Sequence, residues 1–219
     1  MQRPDPTPAR NAEPPHDCPL CPRLVAYRAA NAKANPTWFN GPAPSFGDKD
    51  ARLLIAGLAP GRTGANRTGR PFTGDHAGVL LYATLKSTGF ARGDYDPNGD
   101  DDLQLIDCMI SNAVRCAPPG NKPETSEEAN CRPFLVKRMA SLPRLRVIVT
   151  LGDVSRRNVL RALGLKASAG LPGHGTEFDA GPYVILNSYH CSRLNTNTGR
   201  LTAAMFEAVF ARARALIDG

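Results

Sequence analysis

Four short apolar runs constrain this chain more than any other feature. Leu53-Leu54-Ile55-Ala56 ends in Gly57, and residues 105–111 run into Asn112 with Asp107 as their polar weak point. Arg146-Val147-Ile148-Val149-Thr150-Leu151 ends in Gly152, and Tyr183-Val184-Ile185-Leu186 leads to a polar loop. Between and after these runs, His76–Ser87, 125–141, 153–163 and 201–217 have helical patterns; Thr125 with Glu128 forms a capping box, and Asp153 is placed to cap its helix. Apolar runs of strand length that alternate with helices predict a parallel sheet covered on both faces. The expected fold is therefore α/β, a three-layer αβα arrangement on a central, mostly parallel four-stranded sheet. In such sheets, ligands gather beyond the carboxyl ends of the strands.

At 219 residues with 42% hydrophobic content, the chain suits one globular domain with a substantial core. It has no apolar run of about eighteen residues, so no transmembrane helix is expected. Residues 1–17 are rich in proline and polar side chains and lack the apolar stretch of a secretion signal. They are expected to be a disordered tail ahead of a single domain, 18–219. Six cysteines without an export signal favour metal binding in a reducing cytosol over disulfides. A cytoplasmic monomer is the expectation. The net charge of +7 is uneven: residues 132–219 hold 13 Lys and Arg against 5 Asp and Glu. Such a basic half invites a polyanion, DNA or RNA above all.

Four of the cysteines form two pairs, Cys18/Cys21 and Cys116/Cys131, the second with fourteen residues between. Four thiolates suit a structural Zn²⁺ or an iron–sulfur cluster, and the residues alone leave both open. Cys108, inside an apolar run, reads as a buried thiol, and Cys191 as a loop thiol. The stretch 94–102 begins like a calcium loop, but its twelfth position is Leu105 where a bidentate glutamate is needed. It reads as an acidic surface loop.

Three polar loops follow the predicted strands. The first holds Gly57-Leu58-Ala59-Pro60-Gly61 and then 66–75, the second Asn112 and the proline-rich run 114–123, and the third Tyr189-His190-Cys191-Ser192-Arg193-Leu194-Asn195-Thr196. Together with 195–202, these motifs resemble the iron–sulfur branch of the uracil-DNA glycosylases, most closely its fifth family, type B. The related fourth family has a glutamate where this chain has Leu58. The resemblance covers the chain from about Cys18 onward and implies a uracil-DNA glycosylase-like fold.

It also implies the reaction: hydrolysis of the bond joining uracil, or another deaminated base such as hypoxanthine or xanthine, to deoxyribose in DNA, leaving an abasic site. Such a bond breaks through a cation-like sugar and an anionic base, so the site needs a carboxylate near the sugar and donors near the base. The base reaches it by flipping out of the stack. The resemblance assigns Asp75 as the carboxylate, although its position also suits a helix N-cap. Asp107 is the rival acid, with a structural reading favoured. His190 would donate to the carbonyl oxygen that gains charge, and Phe72 would stack on the base. Asn112 would read the base edge, where the fifth family often has a small residue, and Asn121 is a second candidate. Gly57, Leu58 and Ala59 complete the substrate segment, and Ser192 and Arg193 would meet phosphate or fill the gap left by the flipped nucleotide. Arg67 and Arg70 are expected on the DNA backbone. Cys191 stands where the family usually has proline.

The same resemblance favours a [4Fe–4S] cluster on Cys18, Cys21, Cys116 and Cys131, with zinc as the lesser alternative. The cluster would brace loops, since hydrolysis needs no electron. The competing function is a non-catalytic iron–sulfur protein that binds nucleic acid or senses redox state. A nucleotide phosphate enzyme would need a P-loop Lys-Ser or Lys-Thr pair, which Gly69-Arg70-Pro71 lacks.

Overall fold

Burial of both faces of the four apolar runs sets the architecture. The computed structural model describes residues 12–219. In chain order it contains α1 (Pro22–Ala34), β1 (Phe46–Gly47), β2 (Leu53–Gly57), α2 (Ala65–Thr68), α3 (His76–Ser87), β3 (Ala91–Arg92), β4 (Gln104–Leu105) and β5 (Cys108–Asn112). These are followed by α4 (Thr125–Ala140), β6 (Val147–Leu151), α5 (Asp153–Ala162), β7 (Glu177–Asp179), β8 (Val184–Ser188), α6 (Arg193–Asn197) and α7 (Ala203–Asp218). A 3-10 turn, Pro119–Asn121, separates β5 from α4.

The main sheet has six strands in the order β1-β5-β2-β6-β8-β7. The expected four are its parallel centre, in register through Ile55 with Ile110 and Val149, and Val149 with Leu186. Two short antiparallel strands, β1 and β7, add edges that the sequence pattern did not predict. Alternation along each strand sorts the side chains between layers. Leu53, Ile55, Ile110, Val149 and Leu186 pack under Leu81 and Leu85 of α3 and Phe206 and Phe210 of α7. Leu54, Met109, Ile148 and Ile185 pack under Leu135 and Met139 of α4 and Val159 and Leu160 of α5.

Several boundaries differ from expectation. β5 starts at Cys108; Asp107 stands outside it with φ +56°, and Gln104–Leu105 pairs with β3 in a separate two-stranded sheet. The Asp107 carboxylate accepts from Arg52 at 2.6 Å and faces Arg214 at 3.4 Å, which makes it structural. The capping box of α4 is Glu124 with Glu127, because Arg23 of α1 reaches Glu127 at 2.7 Å and holds it there. Gly152, not Asp153, is the N-cap of α5, and Thr202 caps α7 by accepting from the Met205 N–H. Of the expected tail, residues 1–11 lie outside the described residues. Residues 12–17 depart from expectation: Ala12 is buried, and Glu13 pairs with Arg115 at 2.9 Å and with Arg138. Among the described residues, no helix is long and apolar enough to cross a membrane.

Candidate active site

The carboxyl ends of β2, β5 and β8 open onto one cleft of about 850 Å³. This volume lies within the range of about 300–1,000 Å³ typical of small-molecule sites. Leu58, Ala59, Phe72, Asp75, Asn112, Asn121, His190, Ser192 and Arg193 all line it. Three loops far apart in sequence therefore converge as the strand order requires.

Asp75 is the N-cap of α3, and its Oδ1 accepts from the Gly78 N–H at 3.1 Å. Its Oδ2 faces another loop: a Cβ on Gly64 would stand 3.2 Å from it. Burial raises the Asp75 pKa, opposed by the N–H groups of Gly78 and Ala77 and by the His76 charge. His190 follows the end of β8 by two residues, and burial lowers its pKa. Its backbone oxygen accepts from Asn195 at 2.8 Å, while its ring nitrogens have no hydrogen-bond partner among the described residues. The imidazole is thus neutral at pH 7 and available to a ligand.

Phe72 presents its ring to His190, with centroids 6.2 Å apart and planes 29° from parallel. It adopts φ +57°, a left-handed conformation that an aromatic residue rarely takes. The surroundings enforce it: the Tyr95 hydroxyl donates to the Phe72 carbonyl at 3.2 Å, and a Cβ on Gly78 would collide with that carbonyl at 1.8 Å. Asn112, the last residue of β5, is only 3% exposed, yet its amide has no hydrogen-bond partner among the described residues. The amide is reachable from the cleft that Asn112 lines. Gly57 is absent from the lining and acts through clearance: a Cβ there would lie 2.3 Å from Asn112 Oδ1 and 3.0 Å from Phe72 Cζ.

Arg70 does not face the cleft. It binds Asp101 through both Nη atoms at 2.6 Å and lies over the rings of Phe46, Tyr82 and Tyr95. Asp101 is thereby held down at a pKa of about 2. Arg67 bonds Asn98 at 2.8 Å, so both arginines anchor the acidic loop rather than a free rim. Cys191 is fully buried with Leu201 and Phe206, and burial pushes its thiol well above the usual range. It is a core residue beneath the loop.

Sequence reasoning missed four contributors. Tyr27 of α1 and Arg62 line the cleft, His76 Nε2 lies 3.0 Å from Thr196 Oγ1 and so joins α3 to α6, and Leu194 of α6 is 72% exposed on the same 190–197 segment as His190. The exposed position of Leu194 became visible only once 193–197 was known to be a helix.

The four paired cysteines line a separate cavity with Leu24, Val114 and Phe134, between α1 and α4. Arg28 Nη1 donates to Cys116 Sγ at 3.5 Å, Asn130 Nδ2 to Cys21 Sγ at 3.7 Å and the Arg115 N–H to Cys131 Sγ at 3.3 Å. Burial raises the Cys21 thiol, takes Cys116 up to about 11 and Cys131 up to about 12. Among the described residues, no three His, Cys, Asp or Glu side chains gather tightly enough to hold a single ion. Cys18, Cys21, Cys116 and Cys131 line one mostly apolar chamber, and N–H donors reach three of the four sulfurs.

Comparison with known proteins agrees with this geometry. Residues 44–214 match the family model described as the uracil DNA glycosylase superfamily. The type-5 uracil-DNA glycosylase of Thermus thermophilus is 44% identical over 206 residues, covering 91% of this chain and 93% of that protein. Its namesake from Pyrobaculum aerophilum is 38% identical over 203 residues, covering 91% and 88%. A type-4 uracil-DNA glycosylase, also from Pyrobaculum aerophilum, is 33% identical over 125 residues, covering 57% and 56%. The chain belongs to the uracil-DNA glycosylase superfamily and groups with its type-5 members.

Proposed function

We propose that this protein hydrolyses the N-glycosidic bond of uracil in DNA with water as nucleophile, leaving an abasic site. One observation carries the reading: an amide and an imidazole without hydrogen-bond partners among the described residues, and a helix-capping carboxylate, line the same cleft beside an aromatic ring. As the bond lengthens, positive charge grows on the sugar and negative charge on the base. The Asp75 carboxylate stabilises the sugar cation and orients water. The neutral His190 ring donates a hydrogen bond to the base carbonyl without first giving up a proton. Phe72 stacks on the extruded base, and Asn112 offers one donor and one acceptor to its edge, a pairing that favours uracil. Hypoxanthine and xanthine are secondary substrates. No lysine lines the cleft, which fits hydrolysis rather than a Schiff base.

Cys18, Cys21, Cys116 and Cys131 would hold a [4Fe–4S] cluster, which supplies cross-linking of α1, α4 and the loop after β5. The Arg28 guanidinium offsets thiolate charge there. The cleft is lined by residues of one chain, consistent with a monomer, and cysteines without disulfides suit a reducing cytoplasm. A duplex carrying one uracil, treated with alkali after incubation, is expected to be cut at that position. Intact strands across uracil, hypoxanthine and xanthine duplexes would refute the proposal. Iron and acid-labile sulfide in the purified protein, rather than zinc, test the cluster.

A further inference from the structure

His190 lines two clefts, and the reaction described above uses only one. The second has a volume of about 390 Å³ and is bounded by Gly152, Gly173, Tyr189, Asn195, Arg156 and Arg200. Its back wall is rigid. His174 Nδ1 accepts from the Tyr189 N–H at 3.2 Å and Nε2 lies 3.1 Å from the Met205 carbonyl, so the ring is held on both sides. The Tyr189 ring lies 5.3 Å from the His174 ring, tilted by 32°, and the Arg200 guanidinium lies over it, 4.5 Å from its centroid. Arg200 is exposed, with no carboxylate partner among the described residues.

Arg156 is the second cation and is only 6% exposed. Its Nε donates to Asp153 at 2.9 Å and Nη1 to the Ala169 carbonyl at 3.0 Å, while Nη2 has no protein partner among the described residues. Asp153 is the one acid in the cleft, and Arg156 and Arg157 (3.1 Å) already hold it. Two guanidiniums, Arg156 and Arg200, meet one carboxylate in the lining, so the cleft is net positive. Such a fixed, doubly donating, positive site suits a phosphodiester.

We propose that this second cleft clamps a backbone phosphate of the DNA strand flanking the extruded nucleotide, with Arg200 and Arg156 as its ligands. The shared wall places the clamp: the Asn195 side chain that lines it also donates to the backbone of His190. A phosphate held there sets the strand's register relative to the imidazole. The inference builds on the reading that this rim receives DNA, and it adds a site for positioning, not for chemistry.

The test uses the full-length protein and a duplex carrying a stable tetrahydrofuran abasic analogue. The salt dependence of binding is measured for wild type and Arg200→Ala. Loss of one phosphate contact lowers the slope of log K against log salt by about 0.9 and weakens binding by about tenfold at fixed salt. Arg200→Lys restores the slope, and Arg212→Ala, which removes an exposed arginine paired with Glu177, leaves it as in wild type. Replacing single phosphates by neutral methylphosphonates then locates the contact: one position beside the lesion weakens wild type but not Arg200→Ala. An Arg200→Ala protein with the wild-type slope and the wild-type methylphosphonate profile would overturn the proposal. A wild type that shows the clamp on this duplex yet releases no uracil would overturn the enzymatic reading and leave the clamp standing.

Discussion

Substituting Gly57 by alanine tests whether the cleft depends on clearance at the end of β2. The added Cβ would lie 2.3 Å from Asn112 Oδ1, 3.0 Å from Phe72 Cζ and 3.1 Å from Phe72 Cε2. Real Cβ contacts stay beyond 3.0 Å, so the Asn112 amide must retreat by at least about 0.7 Å. It cannot retreat freely, because Asn112 is only 3% exposed and the Phe72 ring closes on the same added carbon. Overpacking of this kind costs about 1–3 kcal/mol, which lowers the melting temperature by about 2–12 °C in a domain of this size. The larger effect is on activity, since a misplacement of about 1 Å costs about a hundredfold. Single-turnover uracil release should therefore fall about 10- to 100-fold in a protein that remains folded at assay temperature. Asn112→Ala removes the main obstacle, so the added methyl should cost less stability in that background. Gly57→Ala with wild-type uracil release, or with the same stability cost in both backgrounds, would refute this reasoning.

Asp75→Asn keeps a competent N-cap but removes the negative charge, so uracil release should fall by about 10²–10⁴-fold while the melting temperature holds. Because burial raises the Asp75 pKa, the acid limb of the wild-type pH–rate profile should lie above the ordinary carboxylate range. Glu13→Gln strips the carboxylate from Arg115, whose side chain is 1% exposed, and should cost about 1–3 kcal/mol in a urea titration; an unchanged midpoint would refute the anchoring of the N-terminal segment. Asp101 is held at a pKa of about 2 by Arg70, below its unfolded value of about 3.9. Its contribution is therefore full above the unfolded value and is lost as pH falls from about 4 toward about 2. Asp101→Asn should be less stable than wild type at neutral pH, with the gap closing across that window.

The central strands were legible because their burial leaves a local trace: a strand covered on both faces is apolar without interruption. His76–Ser87 agreed at both ends for a related reason, since the capping Asp75 precedes it directly in sequence. The α4 cap was displaced by one residue because Arg23, 104 positions away from Glu127, decides which glutamate turns back. Arg67 and Arg70 show the same limit. As members of a basic glycine-rich loop they look available to DNA, but Asn98 and Asp101 engage them. Tyr27 left no trace, because its place in the cleft follows from where α1 docks.

The linear chain by itself determined the layering and the inventory of reactive groups: an acid, an imidazole, amides and four thiols, each near the end of a predicted element or in a short motif. Only the tertiary structure decided which of those groups are free. Asn112 and the His190 ring are left without side-chain hydrogen-bond partners among the described residues, while Asp107, Arg70 and Glu13 are taken up by ion pairs. The physical reason is range. Apolar periodicity and capping act over a few neighbouring residues, whereas hydrogen bonds and ion pairs are assigned by contacts between segments that meet only when the sheet is assembled.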